Sequence, residues 1–324
     1  MTSVIIGIDI SKHKFDVAYM ATNQKWQRGI FANNLKGFKA LLQWLTDNKI
    51  DKCHAVMEAT GRYGEDLANL LYISGHHVSI VNPAQIKYYG RSLLKRTKTD
   101  KTDSQIIAEF AQRHQLSLWK PLPSSLQSLK ERVRCLNAFK EDATQTSNRL
   151  GEAKDSLVTQ MLAERSAYIQ KQMTSLTEEI NNLAQKQPSV STMVGLLVSI
   201  PGIGQTTALN LLAELPDLST FKCAKQLAAY AGLNPSICTS GSSIKGRGSL
   251  SKTGNRILRK TLFLPAMSLM SRASSIRSFI ERLRAKGKKG KVIIVAVMRK
   301  LVHIIFGVLK KETPFQALQY QNKL

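Results

Sequence analysis

Four acidic residues sit at positions where chemistry is a natural explanation for a carboxylate. Asp9 lies late in an apolar, β-branched run, within Gly7-Ile8-Asp9-Ile10-Ser11. Glu58 closes a second such run, in Met57-Glu58-Ala59-Thr60-Gly61. Asp100 and Asp103 open a helical pattern in Lys98-Thr99-Asp100-Lys101-Thr102-Asp103. A carboxylate inside an apolar strand is costly unless something binds it, and i to i+3 spacing puts Asp100 and Asp103 on one helical face. Strand ends and a helix start can converge at one sheet edge, where four hard oxygen donors suit one or two Mg²⁺ ions. Two such ions, about 4 Å apart, clamp the attacking and leaving oxygens of a phosphodiester. Each residue alone has a plainer reading: Asp9 as the cap of a turn before Ser11, Glu58 as a solvated strand end, Asp100 or Asp103 as acids favoured by a helix dipole. Asp16, in the next strand, and Asp66, inside an amphipathic helix, are weaker candidates.

A second set lies in the C-terminal half. Ser199-Ile200-Pro201-Gly202-Ile203-Gly204-Gln205-Thr206 has the form of a helix-hairpin-helix turn. There Gly202 and Gly204 would let backbone N–H groups approach a phosphate at the following helix start. A dinucleotide fingerprint is disfavoured because its third glycine is missing, and a plain tight turn between core helices is the alternative. Downstream, Ala231-Gly232-Leu233-Asn234-Pro235 leads to Ser240-Gly241, and then to a stretch carrying Lys245, Arg247, Lys252, Arg256 and Arg259. A serine in such a loop could attack phosphorus if cations stabilised the transition state and a group took its proton. The four cations Arg247, Lys252, Arg256 and Arg259 answer the first need, and no histidine lies nearby in sequence for the second. Most loop serines are solvated or cap helices, so the residues alone do not single out Ser240.

The elements that must position these residues are partly readable. Val4–Ile10, Phe15–Met20 and Trp26–Ala32 read as three meandering strands. Helical periodicity follows at Leu35, Phe38, Leu41, Leu42 and Leu45. Strands at 54–57 and 77–81 then alternate with helices at about 63–73, 83–92 and 102–113. That is the order of an α/β ribonuclease H-like, or RuvC-like, domain over 1–120. Pro121 and Pro123 mark a boundary. Beyond it Leu129, Leu136, Ala143, Leu150 and Leu157 recur every seven residues, with Leu126, Val133 and Met161 on the complementary seam. This predicts a coiled-coil hairpin or oligomerising arm over 121–188, weakened by Lys140, Ser147 and Lys154; helices packed in one bundle are the alternative. Residues 189–324 read as a mainly α, basic domain with a Gly-, Ser- and Lys-rich loop at 234–254.

Composition narrows the partners. The 324 residues carry 47 Lys and Arg against 22 Asp and Glu, a formal net charge of +25. About +17 of it falls between Ser240 and Lys311, where 18 Lys and Arg meet one acid, Glu281. Lys288 and Lys289 lie in the densest run of that segment. Such a charge points to a polyanion, nucleic acid first and an anionic membrane second. The most apolar stretch, Val292–Leu309, has Arg299 and Lys300 at its middle, which would cost several kcal/mol in a bilayer; a buried helix is expected instead. The start of the chain lacks the pattern of a signal peptide. Cys53, Cys135, Cys223 and Cys238 form no CxxC pair, so reduced thiols in a cytosolic protein are expected and a structural zinc site is not.

Taken together, the motifs resemble those of the DEDD-type transposases of bacterial insertion sequences, the group described as bridge-RNA-guided recombinases. The resemblance covers essentially the whole chain. It rests on GID at 7–9, EATG at 58–61, KTDxxD at 98–103, PGIG at 201–204, AGLxP at 231–235, Ser-Gly at 240–241 and KxGNxxLR at 252–259. It implies a RuvC-like domain whose Asp9, Glu58, Asp100 and Asp103 hold Mg²⁺, and a transposase domain whose Ser240 is a nucleophile that becomes covalently joined to DNA. It further implies donor and target DNA as substrates, a noncoding guide RNA, sites combined across subunits of a dimer or tetramer, and a place in the bacterial cytoplasm at the nucleoid. The residues leave two rivals open: a metal-only Holliday-junction-type nuclease in which Ser240 merely binds phosphate, and a non-catalytic nucleic-acid-binding protein.

Overall fold

The computed structural model describes residues 4–59, 63–93, 100–236, 239–240, 244–245, 249–272 and 276–316. They form two compact units, Met1–Pro121 and Leu122–Leu324.

The first unit is built on β1 (Val4–Ile10), β2 (Lys14–Met20), β3 (Trp26–Ala32), β4 (Cys53–Glu58) and β5 (His77–Val81), in the order β3-β2-β1-β4-β5. β1, β4 and β5 are parallel, whereas β2 and β3 meander antiparallel from β1. This is the strand order of a ribonuclease H-like sheet. Alternation decides its two faces. Ile6, Ile8, Ile10, Phe15, Val17 and Met57 join a core with Phe38, Leu41 and Leu45 of α1 (Leu35–Asp47) and Leu67 and Leu71 of α2 (Glu65–Ile73). Val56 and Val81 face the other way, into a cluster with Ile86 of α3 (Pro83–Ser92) and Ile106, Ile107 and Phe110 of α4 (Asp100–Arg113). Helix starts are marked by side-chain caps: Asn34 accepts from Gly37 N and Asn82 from Ala84 N, with Pro83 at the first helical position.

The second unit begins with the hairpin of α5 (Ser124–Glu152) and α6 (Ser156–Lys186) and continues through α7 (Pro188–Val198), α8 (Gln205–Glu214) and α9 (Ala224–Tyr230). Four two-residue strands follow: β6 (Pro235–Ser236), β7 (Thr239–Ser240), β8 (Ile244–Lys245) and β9 (Ser249–Leu250). Then come α10 (Arg256–Arg272), α11 (Arg277–Ala285) and α12 (Gly290–Lys311).

The heptad expectation needs correction here. α5 ends before the turn at 153–155, so Leu157 lies on α6 and not on the helix that carries Leu129 and Leu136. Leu129, Val133 and Leu136 are buried with Ile180 and Ala184 of α6 and with α7 and α8, in the core of the unit itself. Leu157 is 64% exposed. One repeat therefore spans two environments, because the turn breaks the helical phase that a continuous seam requires.

α12 is long and apolar enough to cross a membrane by length and composition alone. Its Ile293, Val297, Leu301, Val302, Ile304, Ile305 and Val308 instead join that same core. Both of its central cations have protein partners: Arg299 Nη1 donates to Asn234 Oδ1 at 3.2 Å, and Lys300 Nζ lies 5.1 Å from the centre of the Phe279 ring.

Candidate functional site

In the first unit the register brings two of the expected carboxylates together. Ile8 pairs with Met57 across the parallel β1–β4 ladder, so Asp9 and Glu58 are the next positions along adjacent strands and share a face. That face is the one α4 covers. A Cβ on Gly7, two residues before Asp9, would lie 2.1 Å from Ser104 O and 2.5 Å from Ala108 N, so glycine is what lets α4 approach the sheet. Asp103 immediately precedes Ser104. Ser104 and Ala108 both meet β1 at Gly7, and Val56, Val81 and Ile5 pack with Ile106, Ile107 and Phe110 of the same helix. Asp9, Glu58 and Asp103 are half-buried. Asp100 is the first residue of α4, and its side chain lies outside the described residues. Among the described residues no group of three or more His, Cys, Asp or Glu is gathered closely enough to hold a metal ion. The donor chemistry fits Mg²⁺, since every candidate ligand is a hard carboxylate oxygen.

Two residues outside the expected tetrad shape this region. Asp16 is the direct cross-strand partner of Asp9 and is only 5% exposed; Lys14 Nζ lies 3.3 Å from its Oδ2. The 14, 16, 18 alternation of β2 puts Lys14 on the same face, so a cation accompanies the paired acids. Asn33 was not legible as a site residue. Its Nδ2 donates to Ser11 O at 2.9 Å and to Tyr63 O at 3.1 Å, tying the loop after Asp9 to the loop after Glu58.

In the second unit Ser240 stands on a nested tongue. β6 pairs with β9 (Pro235 with Leu250, Ser236 with Ser249), and inside that ladder β7 pairs with β8 (Thr239 with Lys245, Ser240 with Ile244). The side chains of Ser240 and Lys245, and Cys238 and Arg247 altogether, lie outside the described residues. The base of the tongue is held firmly. Ser251 N donates to Asn234 O at 3.0 Å and Asn255 N to Tyr230 O at 2.7 Å. Gly254, at φ +150°, brings its Cα so near that a Cβ would lie 2.3 Å from Tyr230 O.

The expected phosphate-binding residues divide by environment. Lys252, Arg256, Lys288 and Lys289 are exposed. Arg259 is half-buried and donates from Nη1 to Ala231 O at 3.0 Å; burial, and then the nearby Arg256, lower its pKa from the usual arginine value. Gly202, at φ +89°, packs against α10, where a Cβ would lie 2.9 Å from Pro265 O. Gly204 faces open space at the N-cap of α8, which no side chain caps, so the first N–H groups of that helix are left for an acceptor. Of the cysteines, Cys53 is buried, with its thiol pushed up to about 12 by desolvation, and Cys135 and Cys223 are exposed and free.

Comparison with known proteins assigns both sets of residues to one family. A DEDD transposase model of the IS110 group matches residues 6–159, and a model described as transposase of the IS116/IS110/IS902 family matches 194–281. The chain is 36% identical over 318 residues to the pilin gene-inverting protein of Moraxella bovis, covering 97% of this chain and 98% of that one. It belongs to the IS110 family of transposases. The transposase for insertion sequence element IS1111A of Coxiella burnetii is more distant, at 23% identity over 96% of this chain and 91% of its own length. The first matched region contains Asp9, Glu58, Asp100 and Asp103, and the second contains Gly202, Gly204, Ser240 and the cations through Arg259. As a transposase the protein is a DNA recombinase, and its substrates are DNA. The DEDD family points to use of a divalent metal.

Proposed function

We propose that this transposase cuts and rejoins DNA through a covalent phosphoserine at Ser240, assisted by a Mg²⁺-binding site of Asp9, Glu58, Asp100 and Asp103, at sites chosen by a noncoding guide RNA. The reading is carried by the tongue: Ser240 stands in its inner ladder, and its base is flanked by the exposed Lys252 and Arg256. Ser240 Oγ attacks the scissile phosphorus, and a new P–O bond forms as the bond to one strand oxygen breaks. The departing oxygen leaves as a hydroxyl and takes up the proton that the serine loses. Lys252 and Arg256, with Lys245 and Arg247 from the tongue, stabilise the charge that builds on the phosphoryl oxygens. The adduct conserves the phosphodiester, so attack by another strand's hydroxyl rejoins DNA without an external energy source. Mg²⁺, when bound by the four carboxylates, would supply Lewis-acid stabilisation of phosphate charge. Asn33 and Lys14 hold the loops and balance the acids around it. With the guide pairing to donor and target, the protein need contact mainly backbone and shape, which suits a charge carried by Lys and Arg with only 6% aromatic residues. The active form is a dimer or tetramer in the bacterial cytoplasm, acting at the nucleoid.

The test is denaturing electrophoresis with end-labelled DNA, followed by peptide mapping of any adduct. Ser240→Ala should still bind nucleic acid and form neither adduct nor recombinant product, while Ser242→Ala and Ser243→Ala keep at least partial activity. Full strand cleavage by Ser240→Ala, with water as nucleophile, would replace this mechanism with the metal-only nuclease. A second reading of the biological outcome is favoured by the Moraxella relative, whose name is that of a gene-inverting protein. The same two strand transfers, acting at two sites in one DNA molecule, would invert the segment between them.

A further inference from the structure

One buried carboxylate in the second unit takes no part in the chemistry above. Glu214, the last residue of α8, is 4% exposed. Arg134, from α5 of the helical hairpin, grips it with both arms of the guanidinium: Nε donates to Oε1 at 2.7 Å and Nη2 to Oε2 at 3.0 Å. Asn255, from the KxGN segment at the base of the tongue, donates from Nδ2 to the same Oε2 at 3.0 Å. The other end of that amide is also engaged, because Asn255 Oδ1 accepts from Leu258 N at 2.9 Å and so caps α10. Asn255 thus joins three things: the tongue base through Tyr230 O, the helix that begins with Arg256, and the carboxylate held by the hairpin.

We propose that Glu214 is a positioning residue for recombination, fixing the cation-bearing segment 252–259 against hairpin helix α5 through Arg134 on one side and Asn255 on the other. A buried carboxylate with one charged and one neutral donor is strongly oriented, and losing either partner leaves charge or donor uncompensated. A solvent-exposed pair, Lys260 Nζ to Glu141 Oε1 at 2.9 Å, joins α10 to α5 a second time. The two links together set the place of α10 along the hairpin, and with it the direction in which Arg256 faces. Any load on the hairpin is thereby passed to the tongue base. The inference deepens the reading that residues 252–259 serve the DNA-joining site.

The arrangement allows an exchange test. Glu214→Gln places an amide nitrogen against two donors, and Asn255→Asp places a carboxylate against a carboxylate. The double variant E214Q/N255D restores all but one contact. The glutamine Oε1 accepts from Arg134 Nε and its Nε2 donates to the aspartate, whose other oxygen still caps α10, a role Asp fills well, while Arg134 Nη2 gives up its acceptor and must turn to solvent or to the aspartate. Full-length proteins are compared for melting temperature, for recombination of a plasmid carrying the element's own ends with its flanking noncoding DNA, and for salt dependence of binding to an end-labelled duplex of arbitrary sequence. Well below its melting temperature, each single variant should recombine about tenfold or more slowly, the effect of one lost charge-assisted contact. Each should also lose about one unit from the salt slope, as expected when one phosphate-contacting cation is displaced. The double variant should return to within about threefold of wild type, since it lacks a single hydrogen bond of the original set. Recombination per folded molecule unchanged in the single variants would overturn the proposal, leaving Glu214 a stabilising residue only. So would a folded double variant as impaired as either single one. The readout is recombinant product, not the serine adduct, so failure of the phosphoserine mechanism and failure of this proposal are separable.

Discussion

Replacing Gly7 with alanine tests whether the sheet and α4 must touch for the carboxylates to meet. The added Cβ would lie 2.1 Å from Ser104 O and 2.5 Å from Ala108 N, and both obstacles are helix backbone. No side-chain rotation relieves such a contact, so α4 must lift from β1 by an ångström or more. Overpacking of this kind costs about 1–3 kcal/mol, and a backbone obstacle puts this case at the upper end. For a unit the size of Met1–Pro121, that lowers the melting temperature of its transition by roughly 10 °C. Because α4 carries Asp103, the same shift would move it relative to Asp9 and Glu58, with which the proposed metal site needs it to converge. Recombination should therefore fall at temperatures where the variant remains folded by circular dichroism. Gly195→Ala in α7 is the control, since nothing lies within 4 Å of its added Cβ; helix propensity there predicts a gain of up to about 1 kcal/mol. Wild-type melting and wild-type recombination by Gly7→Ala would refute the close-approach argument and the site geometry built on it.

Asp103→Ala should leave the melting temperature within a few degrees of wild type, because its half-buried side chain is not part of the apolar core of the first unit. Its recombination in Mg²⁺ should drop by roughly a thousandfold, the worth of several kcal/mol of charge stabilisation; a variant as active as wild type would remove Asp103 from the site. Neutralising Arg284, Lys286, Lys288, Lys289 and Lys291 together should flatten the salt dependence of nucleic-acid binding by about four to five units of slope, measured by titration from low to high salt. The first unit should also weaken in acid. Burial, and then His77, lower the His54 pKa, and burial, and then Lys52, lower that of His76, so the folded chain resists protons that the unfolded chain accepts. Stability from these groups is full above the ordinary histidine value of about 6.5 and is lost as pH falls below it toward the depressed folded values. Melting followed from pH 8 to pH 5 should show that loss, and His54→Gln, which keeps a donor toward Ser79 Oγ, should reduce it.

The sheet was readable because each of its strands is long enough to show its own alternation. In β1 and β2 the residues facing α1 and α2 are large and apolar, while Gly7, Asp9, Asp16 and Ala18 occupy the other face. The same period-2 logic, carried one strand further, makes Asp16 the partner of Asp9, although Asp16 looked the weaker candidate without a register. β6 to β9 could not be read in this way, because two residues carry no alternation. The heptad led to the hairpin but not to a continuous seam, for a related reason. Spacing alone cannot tell whether a turn interrupts a helix, and Ala153-Lys154-Asp155 does so, with Asp155 capping α6 through Val158 N at 3.0 Å. Glu214 and Asn255 were invisible because a buried ion pair depends on which distant helices meet, and no local pattern encodes that.

The motif residues themselves divide between packed and open positions, and residue type does not tell which. Of the two glycines in PGIG, Gly202 is required by α10, whereas Gly204 leaves helix N–H groups open to an acceptor. Of the cations in KxGNxxLR, Arg259 turns inward to Ala231 O, whereas Lys252 and Arg256 face solvent. Arg134, Arg299 and Lys300 are likewise engaged inside the second unit. The net charge of +25 therefore overstates the surface a polyanion can meet. The densest exposed run lies in the turn between α11 and α12, where Arg284, Lys286, Lys288, Lys289 and Lys291 are all exposed, and Lys252 and Arg256 are exposed at the base of the tongue. The strand transfer proposed at Ser240 draws on both kinds of cation: exposed ones at the base of the tongue to meet phosphate, and inward-turned ones such as Arg134 and Arg259 to hold that base in place.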